Sequence, residues 1–272
     1  MNLLDFWQNL PAITPTGFNL FGFPIQFYGL MYLVAFLVSF SLSKKRNKSK
    51  KFNFENELLE EFYFVIIIAI ILGGRFGYIL FYNLEYFIQN PLEAIIPFKD
   101  GKYIGIAGMS FHGGLLTAVT AGIFYLKSKK INLLKFSDLV APTIPIAYMF
   151  GRIGNFLNGE LYGRASNFVL SMKFDGILRH PSALYEAFFE GFILYLIMNK
   201  IKDQKLYEGK LLLVFIVLYS IFRFFIEFVR EPDSHIGLFL GFSRGQYLCI
   251  ATIIAALLMQ RVLRKNTWGS ML

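Results

Sequence analysis

Residues 151–164 read GRIGNFLNGELYGR and close an apolar run that starts near residue 137. The run has the look of a membrane span, and the fourteen residues that end it hold two Arg, two Asn, a Glu and four Gly. Charge at membrane depth is expensive, so it marks a pathway or a site. Glycines let a backbone turn tightly or a ligand approach closely. Two guanidiniums beside such a turn suit an anionic head group, a phosphate above all. Helix-end glycines explain Gly151 and Gly154, but they leave the two Asn, the Glu and the two Arg unexplained.

Outward from this stretch the chain repeats the same alternation of apolar run and polar break. It is 56% hydrophobic, with 32 Phe and a mean hydropathy of +0.52, the composition of an integral membrane protein. At about 20 residues per helical crossing, the 272 residues hold six to eight spans. Seven runs qualify: 25–43, 62–82, 111–127, 137–153, 182–199, 209–229 and 245–262. The expected fold is therefore all-α, with seven transmembrane helices in a single membrane domain over 1–272. The N-terminus shows no basic n-region or small-residue cleavage site, so the first apolar run reads as a retained span. The net charge of +9 does not point to nucleic acid, because the charges fall between apolar runs rather than on one soluble face. The one cysteine, Cys249, cannot form an internal disulfide, and His112, His180 and His235 join no cluster with metal-ligand spacing.

The basic residues set an expected orientation. KKRNKSKK at 44–51 and the loops after spans 3, 5 and 7 carry 17 Lys and Arg, against eight in the opposite loops. By the positive-inside rule the N-terminus lies outside and the C-terminus in the cytoplasm. The segment 154–181 then reads as a small extracytoplasmic head between spans 4 and 5, with Asp175-Gly176 as a hairpin turn. In this frame Tyr28, Arg75, Tyr78, His112, Arg152, Asn155, Tyr185, Glu186, Arg223, Glu227, Arg244 and Gln246 all fall at one depth, in the outer half of the membrane. Scattered structural polarity would occupy both halves. Each residue also has a plainer use. Arg75 can snorkel to the interface, Gly113 and Gly114 can serve helix packing, and Tyr28 can be an interfacial aromatic. Arg223 and Glu227, at i,i+4, can be a structural pair with Tyr219 one turn before them.

The stretch 151–164 closely resembles the signature of bacterial prolipoprotein diacylglyceryl transferases. Other segments agree in order along nearly the whole chain: PIQFYGLMYL at 24–33, LGGRFGYILFY at 72–82, SFHGGL at 110–115, RHPSALYEA at 179–187, RFFIEFVREPD at 223–233 and SRGQYL at 243–248. The resemblance implies an enzyme of the bacterial cytoplasmic (inner) membrane with its active site facing the outer leaflet. It implies transfer of the diacylglyceryl group of phosphatidylglycerol to the lipobox cysteine of a preprolipoprotein, forming a thioether and releasing glycerol-1-phosphate. By motif match it points to His112, Arg152, Asn155, Glu160, Gly163, Arg223 and Glu227, and also to Tyr28 and Tyr219.

The residues suit such a reaction. The nucleophile is a substrate thiol, so the enzyme needs no cysteine of its own, and neither cofactor nor metal is expected. Arg152 and Arg223 are the candidate clamp on the phosphate leaving group. His112 is a candidate general base, and the same arginines could instead favour the thiolate electrostatically. Asn155 and Tyr28 are expected to bind the head group, and Glu227 to orient Arg223. Glu160 is expected to orient Arg164 or to receive the glycerol hydroxyls, with Gly163 shaping the turn. Arg75, Tyr219 and Arg244 complete the expected phosphatidylglycerol-binding set. A transporter for anions or lipids would also use intramembrane arginines, but it should carry polar residues into the cytoplasmic half, which here is nearly all apolar. No GxSxG elbow, HExxH or paired-aspartate helix supports an intramembrane protease. A purely structural scaffold would not need the arginine cluster.

Overall fold

Every one of the seven apolar runs folds as helix. The computed structural model describes residues 2–21, 23–49, 51–94, 98–99, 102–103, 108–231 and 239–269. Lys50, Pro232, Asp233 and His235 lie outside the described residues. Helices α2 (Phe27–Asn47) and α3 (Asn56–Tyr82) are long and apolar enough to cross a membrane. So are the segment Leu133–Leu157, made of α6 (Leu133–Val140) and α7 (Ile144–Leu157), and Arg244–Leu263 within α11 (Arg244–Gly269). The remaining runs form α5 (Phe111–Ser128), an interrupted helix from Ser182 to Ile201, and α10 (Leu211–Ile226), which has 16 residues. Large apolar side chains face outward along these helices, among them Leu37, Phe64, Phe124 and Leu258. Water would not tolerate that much exposed apolar surface, and lipid favours it. The chain is a multi-pass membrane protein.

Some elements escape the hydropathy pattern. Residues 3–13 form a helix, α1 (Leu3–Ile13), started by a reciprocal capping box between Asn2 and Asp5. Hairpin β1 (Gly17–Leu20) with β2 (Phe23–Gln26) follows, and β2 leads directly into α2. Between α3 and α5 lie the short helix α4 (Leu84–Gln89) and the two-residue pair β3 (Phe98–Lys99) with β4 (Lys102–Tyr103).

Packing divides the chain into two compact units, Arg46–Phe136 and Met1–Lys45 with Ser137–Leu272. In the first, α3 and α5 approach so closely that a Cβ on Gly77 would stand 2.9 Å from the Cα of Gly113. Only small residues permit that approach, which lets two backbones gain dispersion contact where lipid supplies no hydrophobic drive. Of the uses open to Gly113, helix packing is one that this approach displays.

In the second unit, α2 lies on α7, with Ser39 Oγ 2.8 Å from Thr143 Oγ1 in a buried contact. The carboxylate of Asp138, 1% exposed, accepts from Gly209 N at 2.5 Å and Leu211 N at 3.0 Å. These are N–H groups at the start of α10 that the helix itself cannot satisfy. Leu194, Met198 and Leu211 form a core with Ala141.

The segment between α7 and Ser182 carries the hairpin β5 (Met172–Phe174) and β6 (Ile177–Arg179). Its turn is the anticipated Asp175-Gly176, both at positive φ (49° and 78°), as a tight hairpin connection requires. Phe156, Met172, Phe174 and Ala183 form a core beneath it, and Trp7 and Leu10 of α1 pack against that core. Trp7 Nε1 also donates to Leu170 O at 3.1 Å. This explains why α1 is stable although it is too short and too polar to span.

Candidate active site

The interrupted helix that begins at Ser182 is the frame of the site. It runs as α8 (Ser182–Glu186), a π-helical stretch over Ala187–Ile193, and α9 (Leu194–Ile201). A π-bulge shifts the register of side chains that follow and is common at functional sites. Here Gly191 lets α7 come close: a Cβ there would stand 2.5 Å from Met149 Cβ. Glu186 and Glu190, one turn apart, are both 0% exposed.

Glu186 is the centre of the cluster. Its Oε2 lies 2.8 Å from Arg152 Nε of α7, and its Oε1 lies 3.0 Å from Arg223 Nη1 of α10. Arg230, just past α10, donates from Nη1 to Oε1 at 2.8 Å. Three cations from two segments thus converge on one carboxylate. The Arg152 and Arg223 contacts are ion pairs by distance, without hydrogen-bond alignment, whereas Arg230 makes an aligned bond. Glu227 pairs with Arg223 Nη2 at 2.5 Å and lies 3.6 Å from Arg230 Nε. Ser243 Oγ, just before α11, donates to the second oxygen of Glu227 at 2.7 Å. Arg223 and Glu227 thus meet as their i,i+4 spacing allows, and Arg230 and Ser243 extend the contact.

The opening stretch meets this cluster through Arg152. Its Nη1 donates to Asn155 Oδ1 at 3.2 Å, and Asn155 Nδ2 donates to Glu160 Oε2 at 3.2 Å. Asn158 donates to the other oxygen of Glu160. Glu160 therefore answers to the two asparagines. Arg164 is turned elsewhere: its Nε donates to Arg230 O at 2.9 Å, and its backbone N to Val229 O at 3.0 Å. Gly163 sits where a Cβ would stand 2.3 Å from Val229 O, so the chain can pass the end of α10 only as glycine. Gly163 and Arg164 thus tie the hairpin segment to the end of α10 and hold Arg230 in place. Tyr28 opens α2, with its OH 3.2 Å from Tyr32 OH. A Cβ at Gly154 would lie 3.5 Å from the Cα of Tyr28, which places α2 directly against the stretch.

Tyr148 and Tyr219 lie under the arginines. The Arg152 guanidinium stacks 4.7 Å from the Tyr148 ring centroid. Tyr148 OH reaches Glu190 Oε2 at 2.5 Å, Glu186 Oε2 at 3.3 Å and Tyr219 OH at 3.5 Å.

Three expected site residues take part in none of the bonds of this network among the described residues. Arg244 is exposed at the first residue of α11. His112 opens α5 in the Arg46–Phe136 unit, exposed and with its ring 5.6 Å from that of Phe111. Arg75 belongs to the same unit. Its Nε donates to Ala94 O at 2.8 Å, Nη2 to Glu93 O at 2.6 Å and Nη1 to Gly108 O at 3.4 Å. Its guanidinium also lies 4.9 Å from the Phe87 ring centroid.

Sequence reasoning grouped Glu186 with the polar residues expected in the outer half without giving it a site role, and left Tyr148, Glu190 and Arg230 out of the candidate site. A signal existed. Tyr148 is four residues before Arg152 and Glu190 four after Glu186, so each pair shares a helix face. Near His180, Nδ1 lies 3.3 Å from Tyr185 OH, and partial burial lowers the pKa of the ring below the ordinary histidine value.

Fold and site together define an integral membrane protein with a buried arginine–carboxylate centre. The model of the prolipoprotein diacylglyceryl transferase family matches residues 15–262. The chain is 41% identical over 268 residues to the phosphatidylglycerol–prolipoprotein diacylglyceryl transferase of Campylobacter hominis, covering 97% of this chain and 96% of that protein. To the protein of the same name from Chlorobaculum tepidum it is 42% identical, covering 94% and 93%. To that from Campylobacter lari it is 40% identical, covering 96% and 98%. The chain belongs to the prolipoprotein diacylglyceryl transferase family.

Proposed function

We propose that this protein transfers the diacylglyceryl group of phosphatidylglycerol to the lipobox cysteine thiol of preprolipoproteins, with Arg152 and Arg223 holding the phosphate that leaves. The carrying observation is the convergence of Arg152, Arg223 and Arg230 on the fully buried Glu186. One carboxylate fixes the guanidiniums in advance, so little reorganisation remains when charge develops on the phosphate. In the reaction the thiolate sulfur attacks the primary glycerol carbon, the C–O bond breaks, and glycerol-1-phosphate departs. Its new negative charge falls to the arginines. Asn155, Glu160 and Tyr28 are assigned to the head group beside Arg152.

Arg75 and Arg164 take structural parts in this proposal, because their N–H groups are directed at backbone carbonyls. Arg244 is kept as an outer contact for lipid phosphate, a role that its exposure permits. The thiol proton has two candidate destinations: His112 as general base, or solvent under the field of the arginines. The protein is taken to span the bacterial inner membrane seven times, N-terminus outside, with the site open to the outer leaflet. The lysine and arginine distribution supports that orientation.

The test is direct. Membranes are incubated with phosphatidylglycerol labelled in its acyl chains and a lipobox peptide. The proposal expects label on the peptide cysteine. Label crossing the bilayer without reaching the peptide would mean transport instead.

A further inference from the structure

Glu190 poses a chemical problem that the transfer reaction does not use. It is 0% exposed, no arginine or lysine nitrogen forms an ion pair with it among the described residues, and its Oε1 has no hydrogen-bond partner. The groups facing it are Glu186 on its own helix, Tyr148 and Arg152 of α7, Tyr219 and Arg223 of α10, and Cys249 of α11. An ionised carboxylate buried this way would be desolvated without a directly paired cation, a state proteins avoid.

The hydrogen-bond count resolves the problem. Tyr148 OH stands within reach of Glu186 Oε2 and Glu190 Oε2 together. A phenol has one proton to donate and can accept others. If both carboxyls were ionised, one would face the phenol oxygen without a proton between them. If Glu190 bears the proton, it donates to the Tyr148 oxygen, and Tyr148 donates to Glu186. Both contacts are then satisfied. The charge count changes too. Arg152, Arg223 and Arg230 face two buried carboxylates, Glu186 and Glu227, which leaves one positive charge in excess among the buried groups; Glu160 meets Arg152 only through Asn155 and is exposed. An ionised Glu190 would cancel it.

We propose that Glu190 is a proton-bearing positioning residue, which orients Tyr148 toward Glu186 and leaves the arginine cluster with a surplus positive charge for an anionic lipid phosphate. The functional part rests on the phosphate-clamp reading, whereas the protonation state does not.

The experiment uses the full-length protein in detergent or in vesicles. Infrared difference spectra between wild type and Glu190→Gln should contain the carbonyl band of a protonated carboxylic acid, moving in heavy water. Glutamine keeps a donor at the same place, so Glu190→Gln should retain catalytic efficiency within about threefold. Glu190→Ala strands the Tyr148 oxygen and should raise the KM for phosphatidylglycerol about tenfold or more, the cost of one unsatisfied buried partner. Tyr148→Phe should move the infrared band without abolishing it. A carboxylate signature in place of the acid band would overturn the proposal. So would a Gln variant as impaired as the Ala variant, or an Ala variant with wild-type KM. If the band is present while Arg152→Ala and Arg223→Ala stay fully active, the clamp reading fails and the protonated Glu190 stands.

Discussion

Arg75 and Arg223 both sit in long apolar helices near a Gly-rich or polar break, and the sequence offers little to tell them apart. The structure separates them by what they bond. Arg75 spreads its N–H groups over the carbonyls of Glu93, Ala94 and Gly108 and lies over Phe87. Arg223 faces the carboxylates of Glu186 and Glu227, alongside Arg152 and Arg230. A guanidinium spent on backbone carbonyls holds a loop. A group of guanidiniums packed around fewer carboxylates is held in place yet keeps attraction for an anion. Cation location in a span is therefore a weak guide to function, and the identity of the acceptor is a stronger one.

The largest effect should come from breaking the shared carboxylate. Glu186→Ala leaves three mostly buried arginines without their central partner, and removing one member of such a group costs about 3–5 kcal/mol. Thermal unfolding in detergent should show a large fall in Tm, together with loss of transfer. A wild-type Tm would mean that the arginines find other partners and that Glu186 is dispensable.

Next come the clamp residues. Arg152→Ala and Arg223→Ala should each lower thioether formation by about 10²–10³-fold, the scale set by losing one preorganised charge-stabilising group. Membrane insertion, read by fractionation, should be intact. Lysine should not restore either, because a point charge cannot meet a carboxylate and a phosphate with a rigid fork of donors. Near-wild-type transfer by either alanine variant would remove the clamp.

His112→Gln should reduce transfer at neutral pH by about 10²-fold or more if the imidazole takes the thiol proton. Full activity would assign thiol activation to the arginines.

Arg75→Ala sharpens the contrast from the other side. It should lower stability by about 1–3 kcal/mol through unpaired carbonyls, while the KM for phosphatidylglycerol holds. A raised KM with unchanged Tm would put Arg75 back among the lipid ligands.

The smallest effect concerns His180. Partial burial lowers its pKa and favours the neutral ring in the folded protein. Its contribution is therefore present above the ordinary histidine value and is lost as pH falls through the lower folded value. A small acid-side drop in Tm should be flattened in His180→Asn, and an unchanged profile would show that the burial is inconsequential.

Much of this molecule was legible in advance. Each of the seven apolar runs is helical, and Asp175-Gly176 turns the hairpin as its residue types require. Arg152, Asn155, Glu160, Arg223 and Glu227 are all in the site's bonded network. What escaped shares a cause. Helix α1 has a local start signal in Asn2 and Asp5, but it is held by Trp7 and Leu10 against a core more than 140 residues away in the chain, which hydropathy does not announce. Tyr148 and Glu190 share a helix face with Arg152 and Glu186 by spacing, but spacing along one helix does not show that α7 and the interrupted helix bring Tyr148 to Glu190. Arg230 reads as a loop charge until Gly163 and Arg164 pin the chain beside it.

The amino-acid order alone settled the solvent of this protein and the chemistry it could hold. Span length and hydropathy are sums over neighbouring residues, and motif identity is local, so both survive without coordinates. Which carboxylate answers to which arginine was decided by packing among α7, the interrupted helix 182–201 and α10. Ion pairs and hydrogen bonds act over about 3 Å, and segments far apart in the chain reach that distance only when their helices pack.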